Sequence, residues 1–287
     1  MVEGCASLNA VCFASLRSAD ISKGRAAEGR VVFRLALEMS TAMTEKAQLD
    51  GKVAIVTGGS RGIGRSIAAG LLAGGARVAI SGRSASALEE AQTELAKGDA
   101  RYGDRLLTVK GDVANEQDAS KLIGQTVERF GGLDILINNA GIGRFANIAD
   151  MTTEAWHEVI GTNVTGVFFC TRAALPHLKQ RGGGYIINIS SLASKNAFAG
   201  GGAYCASKAA LNSFTETLML ETRHDNIRVS DVLPGSVQTG FNNNTTTADW
   251  KLSPDDVARV VIDLLEHPSR SLPSRVELRP SRPPKKG

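Results

Sequence analysis

A glycine-punctuated segment near residue 50 constrains the fold more than any other part of the chain. The short apolar run 53–56 is typical of a buried parallel strand, and a helical pattern of apolar residues begins at Ile67. Glycines lie between them at Gly58, Gly62 and Gly64. Such glycines allow a tight turn, and they let a pyrophosphate approach the N–H groups that a helix exposes at its N-terminus. The segment therefore predicts a strand–turn–helix unit with a phosphate site at the turn.

The rest of the chain repeats this alternation of strand and helix. Alternation of this kind predicts an α/β fold, a doubly wound parallel sheet (a Rossmann fold), which we place in a single domain over residues 43–282. Right-handed crossovers would bring the carboxyl ends of the strands to one edge. The predicted strands are 52–57, 76–81, 105–110, 133–138, 184–190, 227–233 and 275–279, and the predicted helices are 62–74, 84–97, 115–130, 152–180, 203–223 and 254–267.

Composition argues against several other classes of protein. A chain of 287 residues with 43% hydrophobic content can bury the core of one α/β domain, and it contains no apolar run long enough to cross a membrane. The four cysteines are far apart, which fits free thiols in a reducing compartment such as the cytoplasm. The four histidines are scattered, so no metal site is expected.

The distribution of charge argues against a nucleic-acid partner. The net charge is +4, but residues 43–269 carry −2, and the basic excess lies in the proline-rich C-terminal end. We expect residues 283–287 to be a solvated basic tail. Residues 1–42 do not share the strand–helix pattern and are expected to form a weakly ordered extension.

Tyr204 and Lys208 are the pair that carries the most chemical information. They lie four residues apart in YCASK, at the start of a helix-favouring run, so they share one helix face. A neighbouring ammonium group favours the phenolate and lowers the pKa of a tyrosine, which makes it a proton donor or acceptor near neutral pH. The alternative is an exposed lysine beside a half-buried ring. The phosphate site predicted upstream favours the first interpretation.

Seven motifs, taken together, identify a family. They are TGGSRGIG (57–64), GDV (111–113), NNAG (138–141), Asn163 in TNVTGVF, NISS (188–191), YCASK (204–208) and PGSVQT (234–239). In this order and spacing the chain resembles the short-chain dehydrogenase/reductases, in the single-domain branch that includes 3-oxoacyl-acyl-carrier-protein reductases. The resemblance implies a nicotinamide cofactor, a small carbonyl or alcohol substrate, and a homodimer or homotetramer.

The resemblance also implies a catalytic role for four residues. Tyr204 would give a proton to the carbonyl oxygen, and Lys208 would lower the pKa of the tyrosine and hold the nicotinamide ribose. Ser191 would orient the carbonyl group. Asn163 would anchor a water that links Lys208 to solvent. Ser190 is adjacent to Ser191 but should point the other way along the strand.

The end of the second predicted strand favours NADP(H) over NAD(H). An acidic residue here would bind the ribose hydroxyls, but the chain has Gly82 followed by Arg83, and Arg61 lies in the glycine turn. Two guanidinium groups suit a 2′-phosphate, although one of them could simply face solvent. We assign Asn138 to the structure and Asn139 to the cofactor. The full set of cofactor contacts implied by the resemblance is Gly58, Ser60, Arg61, Gly62, Ile63, Gly64, Arg83, Asp112, Val113, Asn139, Ala140, Gly141, Tyr204, Lys208, Pro234, Gly235, Val237 and Thr239.

Three functions remain open from the sequence. The first is NADP(H)-dependent reduction of a ketone or aldehyde, or the reverse alcohol oxidation. The second narrows this to 3-oxoacyl thioesters, although the C-terminal end lacks the Asp-Gly-Gly of those reductases, which also puts the four-subunit interface in doubt. The third is an NADP-binding regulator without turnover, against which the intact relay argues. A short polar connection at 240–254 predicts a small or open pocket, whose candidate apolar residues are Ile142, Phe145, Leu192, Phe198 and Phe241.

Overall fold

The computed structural model describes residues 49–97, 99, 102–241 and 248–283. The predicted extension at 1–42, the start of the predicted domain at 43–48, and the tail from 284 onward lie outside the described residues, as do residues 242–247 of the polar connection.

The described residues form one sheet of seven parallel strands, in the order β3-β2-β1-β4-β5-β6-β7. This order confirms the doubly wound fold. Each predicted strand is present, with its ends within two residues of the expected positions. The strands are β1 Val53–Val56, β2 Arg77–Gly82, β3 Leu106–Lys110, β4 Ile135–Asn138, β5 Gly184–Ile189, β6 Ile227–Pro234 and β7 Arg275–Leu278.

The helices follow the predicted order, with two differences. A four-residue helix before β3 was not predicted, and the long helix expected over 152–180 is divided by a π-helical segment, Gly161–Thr165. The α-helices are α1 Gly62–Ala73, α2 Ala85–Ala96, α3 Tyr102–Arg105, α4 Glu116–Phe130, α5 Thr153–Ile160, α6 Gly166–Gln180, α7 Gly202–Thr222 and α8 Pro254–Glu266. Within the described ranges, none of them has the length and apolar character that a membrane span requires.

The core consists of two apolar layers, one on each face of the sheet. Along β1, Ala54 and Val56 face the layer that contains α1, α2 and α8, whereas Val53 and Ile55 face the layer of α4, α6 and α7. This alternation follows the two-residue period of a strand that is buried on both sides. The carboxyl ends of the strands therefore meet at one edge. The direction of winding reverses between β1 and β4, where a crevice is expected to bind a ligand.

Candidate active site

The turn between β1 and α1 can be made only by glycine at several positions. Gly58 and Gly62 have φ angles of 64° and 54°, in the left-handed region that favours glycine. A Cβ atom on Gly64 would lie 2.3 Å from the carbonyl oxygen of Gly58. Helix α1 begins after Arg61 with no side-chain cap and no acidic residue in its first turn. The N–H groups at its start are therefore available to an anionic ligand.

The end of β4 is fastened to this turn by Thr57 and Asn139. The Thr57 hydroxyl accepts hydrogen bonds from the N–H groups of Asn139 and Ala140, both at 3.0 Å. The Asn139 amide donates to the carbonyl oxygens of Thr57 at 2.9 Å and Gly58 at 3.2 Å. The amide nitrogen of Asn139 thus holds the glycine turn. Thr57 has an equal part in this arrangement, and its position directly before the glycines was the signal by which the sequence could have identified it.

Asn138 has the structural role that the sequence predicts. Its amide donates to the Asn188 side chain on β5 at 2.9 Å and to the Thr171 hydroxyl on α6 at 3.2 Å. Asn138 is 2% exposed, so these hydrogen bonds satisfy a buried amide nitrogen and join β4 to its neighbours.

Tyr204 and Lys208 lie one turn apart near the start of α7, beside the end of β5. The Lys208 Nζ atom lies 5.9 Å from the centroid of the Tyr204 ring and donates to the carbonyl oxygen of Ile189 at 2.8 Å. The hydroxyl of Ser191, which follows β5, is close enough to the Tyr204 side chain to interact with it, and it accepts a hydrogen bond from the Ala193 N–H at 3.1 Å. Ser190 points the other way and donates to Asn212 on α7 at 2.5 Å. The structure therefore brings Ser191, Tyr204 and Lys208 together and leaves Ser190 in the packing.

Asn163 approaches the same place from the π-helical segment. Its side-chain oxygen accepts from the N–H of Ile142 at 2.8 Å, and its amide donates to the Ile142 carbonyl and the Ser207 hydroxyl, both at 2.9 Å. A Cβ atom on Gly141 would lie 3.4 Å from the Asn163 oxygen and 3.6 Å from the Lys208 Nζ atom. Gly141 therefore leaves the two side chains close to one another. The π-helical segment that carries Asn163 is a single widened helical turn, a feature that is frequent at functional sites.

Comparisons with known proteins agree with this geometry. The sequence model of the family described as short chain dehydrogenase matches residues 52–250. An uncharacterized oxidoreductase of Staphylococcus saprophyticus is 35% identical over 237 residues, which cover 81% of this chain and 99% of that protein. The chain belongs to the short-chain dehydrogenase family, and it is an oxidoreductase.

Solved structures show the same fold in proteins of stated activity. An alcohol dehydrogenase of the archaeon Thermococcus sibiricus, complexed with 5-hydroxy-NADP, has a TM-score of 0.75 and 30% identity, and the match covers 82% of this chain and 99% of that one. A 3-ketoacyl-(acyl-carrier-protein) reductase of Brucella melitensis, complexed with NADH, has a TM-score of 0.73, 30% identity and the same coverage. A metagenomic short-chain oxidoreductase in complex with NADP has a TM-score of 0.72 and 35% identity, covering 82% of this chain and all of that one.

In this short-chain dehydrogenase, the ionisation of the central pair differs from the prediction. Burial raises the pKa of Tyr204, and the hydrogen bond with Ser191 opposes that rise. Burial lowers the pKa of Lys208 to about 8, against the opposing charge of Asp231. The expectation that Lys208 lowers the pKa of Tyr204 is therefore not met in this structure. The reason is packing, since the Phe145 and Phe241 rings lie against Tyr204 while the ammonium group is bonded to Ile189.

Two loops complete the crevice on the side of the expected adenosine. Gly82 ends β2, and a Cβ atom there would lie 3.3 Å from the Ser60 hydroxyl oxygen. The exposed Arg83 guanidinium lies 3.8 Å from the Asp112 carboxylate, which also accepts a hydrogen bond from the Ala114 N–H. Exposed ion pairs of this length contribute little to stability, so Arg83 is free to change partners.

The segment after β6 returns to the glycine turn. Pro234 ends the strand, and Val237 pairs with Leu252 in an isolated parallel bridge. A Cβ atom on Gly62 would lie 3.4 Å from the Thr239 methyl group, so Thr239 lies directly over the start of α1. A Cβ on Gly235 would approach Leu192 to 3.1 Å, which places this segment against the loop that follows Ser191.

The remaining predicted cofactor residues occupy the turn or its flanks. Ile63 is partly buried and packs against the apolar layer of α1, whereas Val113 is buried against Gly166 at the start of α6. Sequence reasoning missed Asp231, which is 1% exposed on β6 and whose charge favours the protonated form of the Lys208 amine. An acidic residue inside a predicted strand of a sheet that is buried on both faces was the signal for it.

Proposed function

We propose that the chain is an NADP(H)-dependent oxidoreductase that reduces a ketone or aldehyde to an alcohol, or catalyses the reverse oxidation. The observation that carries this proposal is the convergence of Ser191, Tyr204, Lys208 and Asn163 at the strand edge that also holds the glycine turn. Bound at that turn, a nicotinamide would donate or accept the hydride. The uncapped start of α1 and the glycine backbone fit the pyrophosphate of such a cofactor.

Each of the four residues has a distinct role in this proposal. The raised pKa of Tyr204 keeps its hydroxyl protonated, as a proton donor to the carbonyl oxygen requires. The Ser191 hydroxyl interacts with the same phenol, so the two groups can bind one substrate oxygen between them.

Lys208 and Asn163 would form the path by which Tyr204 regains its proton. The Lys208 amine is buried and has a pKa of about 8, so it can gain and lose a proton near neutral pH. Asn163 holds Ile142 by both of its backbone groups, which fixes the wall of the crevice beside the lysine. A water between Asn163 and Lys208 would complete a path for the proton from solvent.

Preference for NADP(H) rests on Gly82, Arg83 and Arg61. Both arginines are exposed at the ends of β2 and the glycine turn, where no acidic residue occupies position 82. A 2′-phosphate would replace Asp112 as the partner of Arg83 and would gain a bidentate contact. Two of the three similar structures described above contain NADP or a derivative of it.

A second candidate is the reduction of 3-oxoacyl thioesters. The similarity to the Brucella melitensis 3-ketoacyl-(acyl-carrier-protein) reductase favours it. The two candidates share the same relay and differ only in what surrounds the carbonyl group.

We also propose a homodimer or homotetramer in the cytoplasm. Cys170 and Cys205 are free and buried, which fits a reducing compartment. The long helix α7 offers a face for packing between subunits, and Leu220 on it is 53% exposed. Light scattering on the purified protein would give the oligomeric state, and a monomer would contradict this part of the proposal.

The direct test of function is consumption of the reduced cofactor. Purified protein is mixed with NADPH or NADH and a panel of ketones, aldehydes and acetoacetyl thioesters, and the loss of absorbance of the reduced nicotinamide is followed. We expect turnover with at least one carbonyl compound and a higher kcat/KM with NADPH than with NADH. Absence of turnover with both cofactors across the panel would contradict the proposed function.

A further inference from the structure

Three phenylalanine rings lie in a chain around Tyr204. Phe145 meets the Tyr204 ring edge-on, with centroids 5.8 Å apart and an interplanar angle of 86°. Phe198 meets Phe145 in the same manner at 5.7 Å, and Phe241 lies against the other side of Tyr204 at 5.7 Å. Each of these geometries is one that aromatic pairs favour. The proposed proton donor is therefore bordered by rings.

The outer members of this group face solvent. Phe145 is 49% exposed, Phe198 is 48% exposed and the neighbouring Ile148 is 70% exposed. We call Phe145, Ile148 and Phe198 the apolar rim. A cluster of large exposed apolar side chains beside a reactive group marks a binding site more often than a chance surface feature.

The apolar rim is held in place by the backbone. The N–H of Ala146 donates to the carbonyl oxygen of Gly200 at 2.9 Å, which joins the two segments that carry the rim. A Cβ on Gly201 would lie 2.6 Å from the Phe198 ring, and a Cβ on Gly202 would lie 2.4 Å from the Ile148 side chain. Glycine at these two positions allows the rim to lie over the start of α7, two residues before Tyr204.

The basic residues that adjoin the rim in sequence are already paired with carboxylates. Arg144 binds Glu158 at 2.9 Å, and Lys195 binds Glu277 at 2.5 Å. An acidic carrier protein or a phosphorylated thioester would have to compete with these carboxylates and would meet their charge. The rim itself offers apolar area and ring faces.

We infer, on the basis of the proposed function, that the preferred substrate is a carbonyl compound whose carbonyl group bears an aromatic ring or a similarly bulky hydrocarbon group. The carbonyl oxygen would meet Tyr204 and Ser191, and the hydrocarbon group would lie on Phe145 and Phe198. Burial of the half-exposed rings supplies the binding free energy, and contact with their edges and faces favours a planar ring over an aliphatic chain.

The test compares three substrates with the same cofactor: an aryl methyl ketone such as acetophenone, butanone, and acetoacetyl-coenzyme A. We expect kcat/KM for the aryl ketone to exceed that for each of the other two by at least about tenfold, which corresponds to the burial of roughly half of one aromatic side chain. An equal or higher kcat/KM for acetoacetyl-coenzyme A would overturn the inference and leave the proposed function standing.

Variants separate the rim from the relay. We expect Phe198→Ala, which removes a rim ring that contacts Phe145, to lower kcat/KM for the aryl ketone by about tenfold, mainly through KM, with a change of less than about threefold for butanone. The control is Phe168→Ala, which removes a ring of similar exposure that packs on Phe169 and Arg172 instead of Phe145. It should leave the ratio of the two kcat/KM values unchanged.

The outcomes distinguish two kinds of failure. Equal losses for both ketones in Phe198→Ala, or a ratio that changes as much in Phe168→Ala, would overturn the rim as the determinant of specificity. Absence of turnover for all three substrates in the wild-type protein would overturn the function on which the inference rests.

Discussion

At the scale of single residues, burial decides the ionisation of the site. Tyr204 and Lys208 are both moved toward their neutral forms, the first by a raised pKa and the second by a pKa lowered to about 8. Desolvation is the largest cause in both cases, because removal from water disfavours any charged form. In the proposed relay, the phenol would start protonated and the amine would titrate near neutral pH, which suits a proton donor that must regain its proton.

We propose that the preference for NADP(H) depends on two adjacent residues, Gly82 and Arg83. We predict that the double variant Gly82→Asp with Arg83→Ala will reverse the preference, lowering kcat/KM with NADPH by at least about tenfold and raising it with NADH. The carboxylate would repel a 2′-phosphate and accept hydrogen bonds from ribose hydroxyls, while the guanidinium partner is lost. Steady-state kinetics with both cofactors measure the change, and Arg279→Ala, directly after the edge strand β7, is a control that removes one exposed arginine. An unchanged ratio in the double variant would contradict the phosphate assignment.

Asp231 makes the stability of the fold depend on pH. Burial raises its pKa to about 7, and the Thr215 hydroxyl and the cations of Arg275 and Lys208 oppose that rise only in part. The native state therefore binds this proton more tightly than the unfolded state does, so stability falls as pH rises from about 4 to 7. An asparagine side chain does not ionise, so the stability of Asp231→Asn lacks this dependence on pH.

The expected result is a difference in melting temperature that depends on pH. The melting temperature of Asp231→Asn minus that of the wild type should be several degrees more positive at pH 8 than at pH 4.5, which is the scale expected for a domain of this size. Thermal unfolding of both proteins at the two pH values measures the effect. An identical difference at both values would show that Asp231 keeps an ordinary pKa.

At the scale of elements, the strand–turn–helix unit and the π-helical segment position the chemistry. The turn is compact because Gly58 and Gly64 are in contact through backbone atoms, and Thr57 and Asn139 fasten it to β4. The π-helical segment turns Asn163 toward Ile142 and Ser207, where a regular helix would place a different face. Both devices aim groups at the carboxyl edge of the sheet.

Glycine at position 64 can be tested against a glycine elsewhere. Gly64→Ala would bring a methyl group within 2.3 Å of the Gly58 oxygen and 2.5 Å of the Asn139 amide, so we predict a loss of at least about 1 kcal/mol of stability and a weakened affinity for the cofactor. Urea unfolding and cofactor titration by fluorescence would measure both.

Gly124 in α4 provides the matched control. A Cβ atom there would have no neighbour within 4 Å, and the residue is exposed within a helix. Gly124→Ala should therefore stabilise the protein by roughly 0.5–1 kcal/mol and leave cofactor affinity unchanged. Equal effects of the two substitutions would contradict a special role for the turn.

At the scale of the whole molecule, sequence periodicity was sufficient to predict the fold but not the pKa shifts at the site. The seven strands could be placed because each is a short apolar run bounded by turn residues, and the motifs could be placed because parallel strands end at one edge. The π-helical segment was not predicted, since the apolar pattern of 152–180 continues through it without a break. Asn163 in this segment is hydrogen-bonded to Ile142, a tertiary contact that an apolar pattern does not reveal.

The direction of the Tyr204 pKa shift was beyond sequence reasoning for a similar reason. The spacing of Tyr204 and Lys208 shows that they share a helix face but not what else covers the phenol. Phe145 and Phe241 come from two distant loops, and only the folded chain brings them against Tyr204. Ser191 was chosen over Ser190 from the resemblance and from strand alternation, and in the structure Ser190 lies in the packing, where it donates to Asn212. The catalytic role of Ser191 stays a prediction.

The central claim is that Tyr204 transfers the proton beside a bound nicotinamide, and Tyr204→Phe tests it most directly. The variant keeps the ring and its contacts with Phe145 and Phe241 but lacks the hydroxyl. We predict that NADPH binding, followed by fluorescence titration, will change by less than about threefold, while kcat falls by roughly two to four powers of ten, the range of positioned acid–base catalysis. Turnover close to that of the wild type in the folded, cofactor-binding variant would contradict the account.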